Sequence, residues 1–152
     1  MLFVRLPLEK KKRNNMSKEQ LKQAQEIVAK HTVKNGKFNG EMCIITVIDG
    51  DGYPYPSVIT PSSSRGIEEL TFGINTDSDK MKCLANNKKV GICFAGAEYS
   101  LTLFGDAEII TDPKLKKDLW YDGLSNHFEK GHEDPNYAVL KFKTRRHKLF
   151  VY

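Results

Sequence analysis

Six or seven short extended runs, separated by turn residues and lacking any regular strand-helix-strand rhythm, dominate this sequence. That pattern predicts a mainly antiparallel sheet or barrel flanked by helices. Met42, Ile44, Ile45, Val47 and Ile48 read as a first strand, and Asp49-Gly50-Asp51-Gly52 as a hairpin turn. The second strand resumes at Val58-Ile59-Thr60, with Pro54 and Pro56 at its start, where a missing N–H does least harm. Thr60–Gly66 reads as a loop and Ile67–Ile74 as the third strand. Val90, Ile92 and Phe94 alternate as a fourth, and Leu101–Ile109 forms a fifth in which Gly105 marks a bend or bulge. Tyr137–Phe142 and Leu149–Tyr152 read as two final strands.

Three helices flank these runs. The first follows Ser17, an N-cap with Gln20 as its capping-box partner, and carries an apolar stripe of Leu21, Ala24, Ile27 and Val28. A short second helix starts after Asn75-Thr76-Asp77-Ser78 and ends at Asn86-Asn87, and a third opens at Asp112-Pro113 with Leu115, Leu119 and Trp120 as its apolar positions. At 152 residues the chain accommodates one domain, which the pattern places over 16–152. Residues 1–15 read as a basic extension, with Met16 resembling an alternative start.

The net charge of +5 suggests nucleic acid until it is located. Arg5, Lys10, Lys11, Lys12 and Arg13 oppose only Glu9 in the extension, so the globular part is nearly neutral and offers no broad face to a phosphate backbone. No apolar stretch approaches the ~18 residues of a membrane helix, and polar residues follow the basic cluster where an export signal needs an apolar core. Cys43, Cys83 and Cys93, with no CxxC pair, argue for a reducing cytoplasm and against a structural zinc site. His127, His132 and Glu133 are badly spaced for a metal, and Thr60 stands where a calcium loop opened by Asp49 needs a carboxylate. Nucleophile elbows, P-loops and Rossmann glycines are all missing. One place survives: around Ser78 and Lys80, a hydroxyl, an ammonium and backbone N–H groups at a helix start converge as they would on a phosphate, with Asp77 and Asp79 opposing.

Those residues carry a resemblance. Leu70–Lys80, followed by Asn86-Asn87-Lys88-Lys89-Val90, resembles the strand-turn-helix-strand core of the pyridoxamine 5′-phosphate oxidase-like flavoproteins. Gly52-Tyr53-Pro54 with the strand to Thr60 resembles that family's flavin-lining strand, and Gly105-Asp106-Ala107-Glu108 its G-x-A-x strand end. Trp120, Phe128-Glu129-Lys130-Gly131 and Asp134-Pro135 resemble the short bacterial branch known as general stress proteins.

The resemblance implies an antiparallel split β-barrel that dimerises around two FMN sites. It implies that Ser57, Val58, Ile59, Thr60, Pro61 and Ser62 border the flavin ring and ribityl chain. It also implies that Gly73 and Ile74 lie beside the cofactor, that Ser78 and Lys80 hold its phosphate, that Ser100 approaches it from the fifth strand, and that Trp120 reaches the flavin of the partner subunit. The activity implied is flavin-dependent oxidoreduction of an unknown substrate. A non-enzymatic flavin carrier or stress sensor, and a pyridoxamine 5′-phosphate oxidase, remain as alternatives. Family oxidases carry arginines where Ser57 and Asp79 stand here, which predicts a weaker hold on phosphate. Arg145-Arg146-His147 precedes the last strand instead of following it, which argues against vitamer oxidation.

Overall fold

The computed structural model describes residues 16–152, so the basic extension lies outside the described residues. Helix α1 (Lys18–His31) begins as its sequence predicts: the Ser17 hydroxyl accepts from the Gln20 N–H while the Gln20 side chain accepts from the Ser17 N–H. Strands β1 (Cys43–Ile48) and β2 (Pro54–Ile59) form the expected hairpin. Its turn is held by the Asp49 carboxylate, which accepts from the N–H groups of Asp51 and Tyr53, with Gly52 at a φ of 85°. Next come β3 (Pro61–Arg65), β4 (Glu69–Asn75), the one-turn α2 (Asp79–Lys82) and a 3₁₀ turn at Cys83–Ala85. β5 (Lys89–Ala95) and β6 (Tyr99–Ile110) lead to α3 (Pro113–Asp118), two further 3₁₀ turns and β7 (Tyr137–Val151).

All seven strands pair antiparallel in the order β2-β1-β5-β6-β7-β4-β3. The two outermost strands of this sheet, β2 and β3, are joined in the chain by the single residue Thr60. The sheet must therefore curl until its edges meet at that corner, and from there β2 and β3 run apart without pairing. This is a split barrel. Alternate residues fill its interior: Ile45 and Val47, Leu70 and Phe72, Ile92 and Phe94, Leu101 and Leu103, Leu140 and Phe142 are all fully buried. Ala24, Ile27 and Val28 of α1 join the same cluster.

Two readings need correction. Pro61–Arg65 is a strand and not a loop; it is an edge that pairs on one side only, and a bulge at Ser62 lets Ser62 and Ser63 both hydrogen-bond the Thr71 hydroxyl, at 2.9 and 2.6 Å. The two final strands are one, because β6 pairs with β7 along the whole segment where the apolar pattern lapses. The bulge near Gly105 is present: the register slips between Phe104 and Gly105, which leaves Arg145 as the extra residue on β7.

The opposite face of β4 and β7 carries a second cluster of Leu124, Phe128, Tyr137 and Val139, with Leu115, Leu119, Trp120 and Tyr121 packed around it. Leu119 and Trp120 lie just beyond the last residue of α3. Below them the Asp134 carboxylate accepts from the N–H groups of Lys130 and Asn136, and Gly131 takes a φ of 66°. The tryptophan, phenylalanine, glycine and aspartate-proline positions of the C-terminal motif thus form one packed loop.

Candidate functional site

The Thr60 corner explains why residues far apart in sequence meet. Ser57 lies three positions before Thr60 on β2. Pro61, just after it, pairs with Phe72 of β4, which then runs directly into α2. The start of α2 is thereby delivered to β2, and the Lys80 ammonium donates to the Ser57 hydroxyl at 2.5 Å. Both residues are half-buried.

Lys80 sits without a counter-charge. Among the described residues no carboxylate lies within ion-pair distance of its ammonium, although Asp77 and Asp79 flank it; Asp77 pairs instead with Lys82 at 3.2 Å. Burial lowers the Lys80 pKa from its ordinary value. An ammonium is costly to hold in such a place without a counter-charge. Ser78 contributes less than its position suggests. Its hydroxyl caps α2 by accepting from the Met81 N–H at 3.3 Å, and α2 spans only four residues, too short for a substantial dipole.

The other predicted positions divide into three groups. Val58 projects outward and is 53% exposed, Ile59 packs against the core, and Thr60 donates to the Glu41 carbonyl at 3.3 Å. The Pro61 carbonyl accepts from Val33 at 3.0 Å, and Ser62 belongs to the hydroxyl group on Thr71. These continue the line from Ser57. Ile74 points into the core, and Gly73 faces the second cluster so closely that a Cβ there would stand 2.8 Å from Leu124. Trp120 packs edge-on against Tyr137, 5.1 Å between ring centroids, and Tyr137 pairs with Asn75, so Trp120 lies toward the same end of β4 as α2. Ser100 does not join them: it pairs with Phe150 at the far end of β7. No hydrogen bond or ring contact among the described residues connects Ser100 or Trp120 with the Ser57–Lys80 pair.

A groove of about 670 Å³ that no sequence motif marks lies on the outer face of β1, β5, β6 and the adjoining part of β7. Across it Thr46, Gly91, Phe104 and Arg146 stand in register, with the Arg146 guanidinium 4.2 Å from the centroid of the Phe104 ring. Arg145 pairs with Asp106 at 2.8 Å. Both arginines of the Arg145-Arg146-His147 segment are therefore engaged within this chain. Beside the groove, Ile44 and Val58 pair across β1 and β2 with 38% and 53% of their surface exposed.

Among the described residues no titratable group has the setting of a nucleophile or general base. Burial pushes the Cys43 thiol up to about 12, so it stays protonated at neutral pH. Burial, with Tyr121 alongside, pushes the Tyr137 phenol up to about 12, and its hydroxyl donates to the Lys116 carbonyl. Among the described residues no three His, Cys, Asp or Glu side chains gather as metal ligands, and no helix is long and apolar enough to cross a membrane.

A curled antiparallel half-barrel defines the class of protein, a split barrel, and at its closing corner stands a lysine without a carboxylate partner. Residues 30–149 match the model of the pyridoxamine 5′-phosphate oxidase family, and the chain belongs to that family. No curated protein matches it. Among solved structures it resembles a protein related to general stress protein 26 from Clostridium acetobutylicum, with a TM-score of 0.77, 22% identity, and 90% of this chain and 92% of that one covered. General stress protein 26 of Bacillus anthracis gives a TM-score of 0.66 at 18% identity, covering 84% and 98%. A general stress FMN/FAD binding protein from Xanthomonas citri gives 0.59 at 20%, covering 72% and 79%. At these identities the likeness is one of fold.

Proposed function

We propose that this chain is an FMN-binding redox protein of the general stress type, acting as a cytoplasmic homodimer. The observation that carries the reading is the Lys80 ammonium, half-buried, held by Ser57 and without a carboxylate partner. A phosphate monoester supplies the charge this lysine lacks. Around it, the backbone from Ser57 to Ser62 offers donors and acceptors to the ring edge and ribityl chain, and Gly73 and Ile74 border the cofactor beyond. Bound flavin supplies hydride or electron transfer; the protein's part is to bind, orient and exclude water. Ser100 makes no contact with the Ser57–Lys80 pair within one chain, and in the homodimer a second copy brings its own residues to the site.

Titration of the protein with FMN, followed by flavin fluorescence, tests the reading. Saturable binding of one FMN per chain is expected, and no binding at micromolar concentrations overturns it. The affinity should fall on both sides of neutrality. On the acid side the phosphate takes up a proton near pH ~6 and loses half its charge. On the alkaline side Lys80 gives up its proton, and burial places that step below the ordinary lysine value of 10.5. Asp77, Asp79 and Lys82 are the charged neighbours on its own segment, and Tyr55 stands two residues from Ser57 on β2. A Lys80→Ala variant should lose the alkaline fall but keep the acid one in weakened form, as titrations across pH would read.

For the dimer, we assign the outer apolar face of β1 and β2. The double substitution Ile44→Glu and Val58→Glu should convert the dimer to monomer in light scattering after size exclusion, since it places charge in what must be an apolar interface core. An unchanged mass moves the interface elsewhere.

A further inference from the structure

The electrostatics of the Thr60 corner bear on how long a flavin stays, a question that rests on the reading above. A phosphate monoester brings close to two negative charges at neutral pH. Against it the corner sets one ammonium, Lys80, whose burial already weakens its hold on its own proton. The neighbouring cation, Lys82, is engaged by Asp77 at 3.2 Å, and Asp79 adds a carboxylate on the same turn. The Ser78 hydroxyl caps the helix by accepting from the Met81 N–H and can offer a phosphate its one O–H but no charge. Ser57 occupies one of the three donors of the Lys80 ammonium and fixes its direction, which leaves two donors and a single positive charge for an arriving phosphate.

We propose that flavin is an exchangeable ligand of this protein, taken up and released as a co-substrate or cargo and not kept as a resident prosthetic group, and that the Ser57–Lys80 pair sets its residence time. The corner sets one oriented ammonium toward a phosphate, with too little positive charge to retain it. With an ordinary association rate of ~10⁶ M⁻¹s⁻¹, a dissociation constant on the order of 1 μM corresponds to release within about a second.

The experiment is rapid dilution of the FMN-loaded protein with recovery of free-flavin fluorescence as the readout, beside equilibrium titration. Micromolar affinity and release within seconds are expected. Ser57→Arg, which adds a second cation to the corner and frees Lys80, should tighten binding and lengthen residence by roughly tenfold or more. Asp79→Asn removes an exposed carboxylate with little risk to folding and should act in the same direction by a smaller factor. Nanomolar affinity with release over hours in the native protein overturns exchange while leaving the flavin reading intact. Fast release that neither substitution slows overturns the assignment to this corner. Absence of saturable FMN binding in the native protein overturns the flavin reading itself.

Discussion

Gly105→Ala is expected to destabilise the protein by about 3 kcal/mol or more, a drop of roughly 6–12 °C in melting temperature for a chain of this length. The cause is a backbone collision. A Cβ at Gly105 would stand 2.0 Å from the Lys143 carbonyl oxygen and 2.8 Å from Phe142 Cε2. No rotamer relieves the first contact, because the oxygen belongs to the paired strand. The glycine sits where the β6–β7 register slips past Arg145, and this bulge turns β7 from the barrel interior toward its polar half. Only by pushing the two longest strands apart can a methyl group be admitted. Gly91 is the control: it lies mid-strand in β5 with nothing within 4 Å of the added Cβ, so Gly91→Ala should be neutral or slightly stabilising through the unfolded chain. Chemical denaturation of the two variants in parallel checks both expectations. Equal, small effects would mean that the ladder at the bulge is pliable and that the bend has another origin.

The same bulge shows what the sequence makes legible. Gly105 could be read as a bend because a glycine inside an apolar alternation has few other uses, and Ser17 with Gln20 could be read as a cap because both partners lie within one turn. These are local facts. Pro61–Arg65 defeated local reading because serine and proline are turn residues by propensity; what makes the segment a strand is β4 beside it and the Thr71 hydroxyl that Ser62 and Ser63 share. Lys143 to Lys148 defeated it likewise: the residues are polar on both faces, and only the continuous β6 ladder keeps them extended. The site followed the same division. Ser78 and Lys80 could be found as an anion-seeking pair within three residues, whereas the meeting of Lys80 with Ser57 depends on a sheet whose two edges share the Thr60 corner. The outer groove escaped notice because residues of β1, β5, β6 and β7 come together there only through the sheet, a set that no single segment displays.

Reversing the charge at that corner is the severest test of its assignment. Lys80→Ala should weaken FMN about tenfold, the worth of one charge-assisted contact, and Lys80→Glu roughly a hundredfold or more, because it adds repulsion of the phosphate to the lost attraction. Riboflavin, which has the ring and ribityl chain but no phosphate, should bind the native protein and both variants alike. Stability should move the other way. The fold lowers the pKa of Lys80, so it disfavours the charged form, and that cost is present at pH values below the lowered pKa and disappears above the ordinary lysine range. At neutral pH the unliganded Lys80→Ala protein should therefore melt at the same temperature as the native one or slightly higher. A residue that costs the empty protein stability and repays it only with ligand bound is placed there for the ligand. If instead both variants lose riboflavin as strongly as FMN, Lys80 shapes the corner through Ser57 and the phosphate lies elsewhere; if they melt well below the native protein, the lysine belongs to the scaffold.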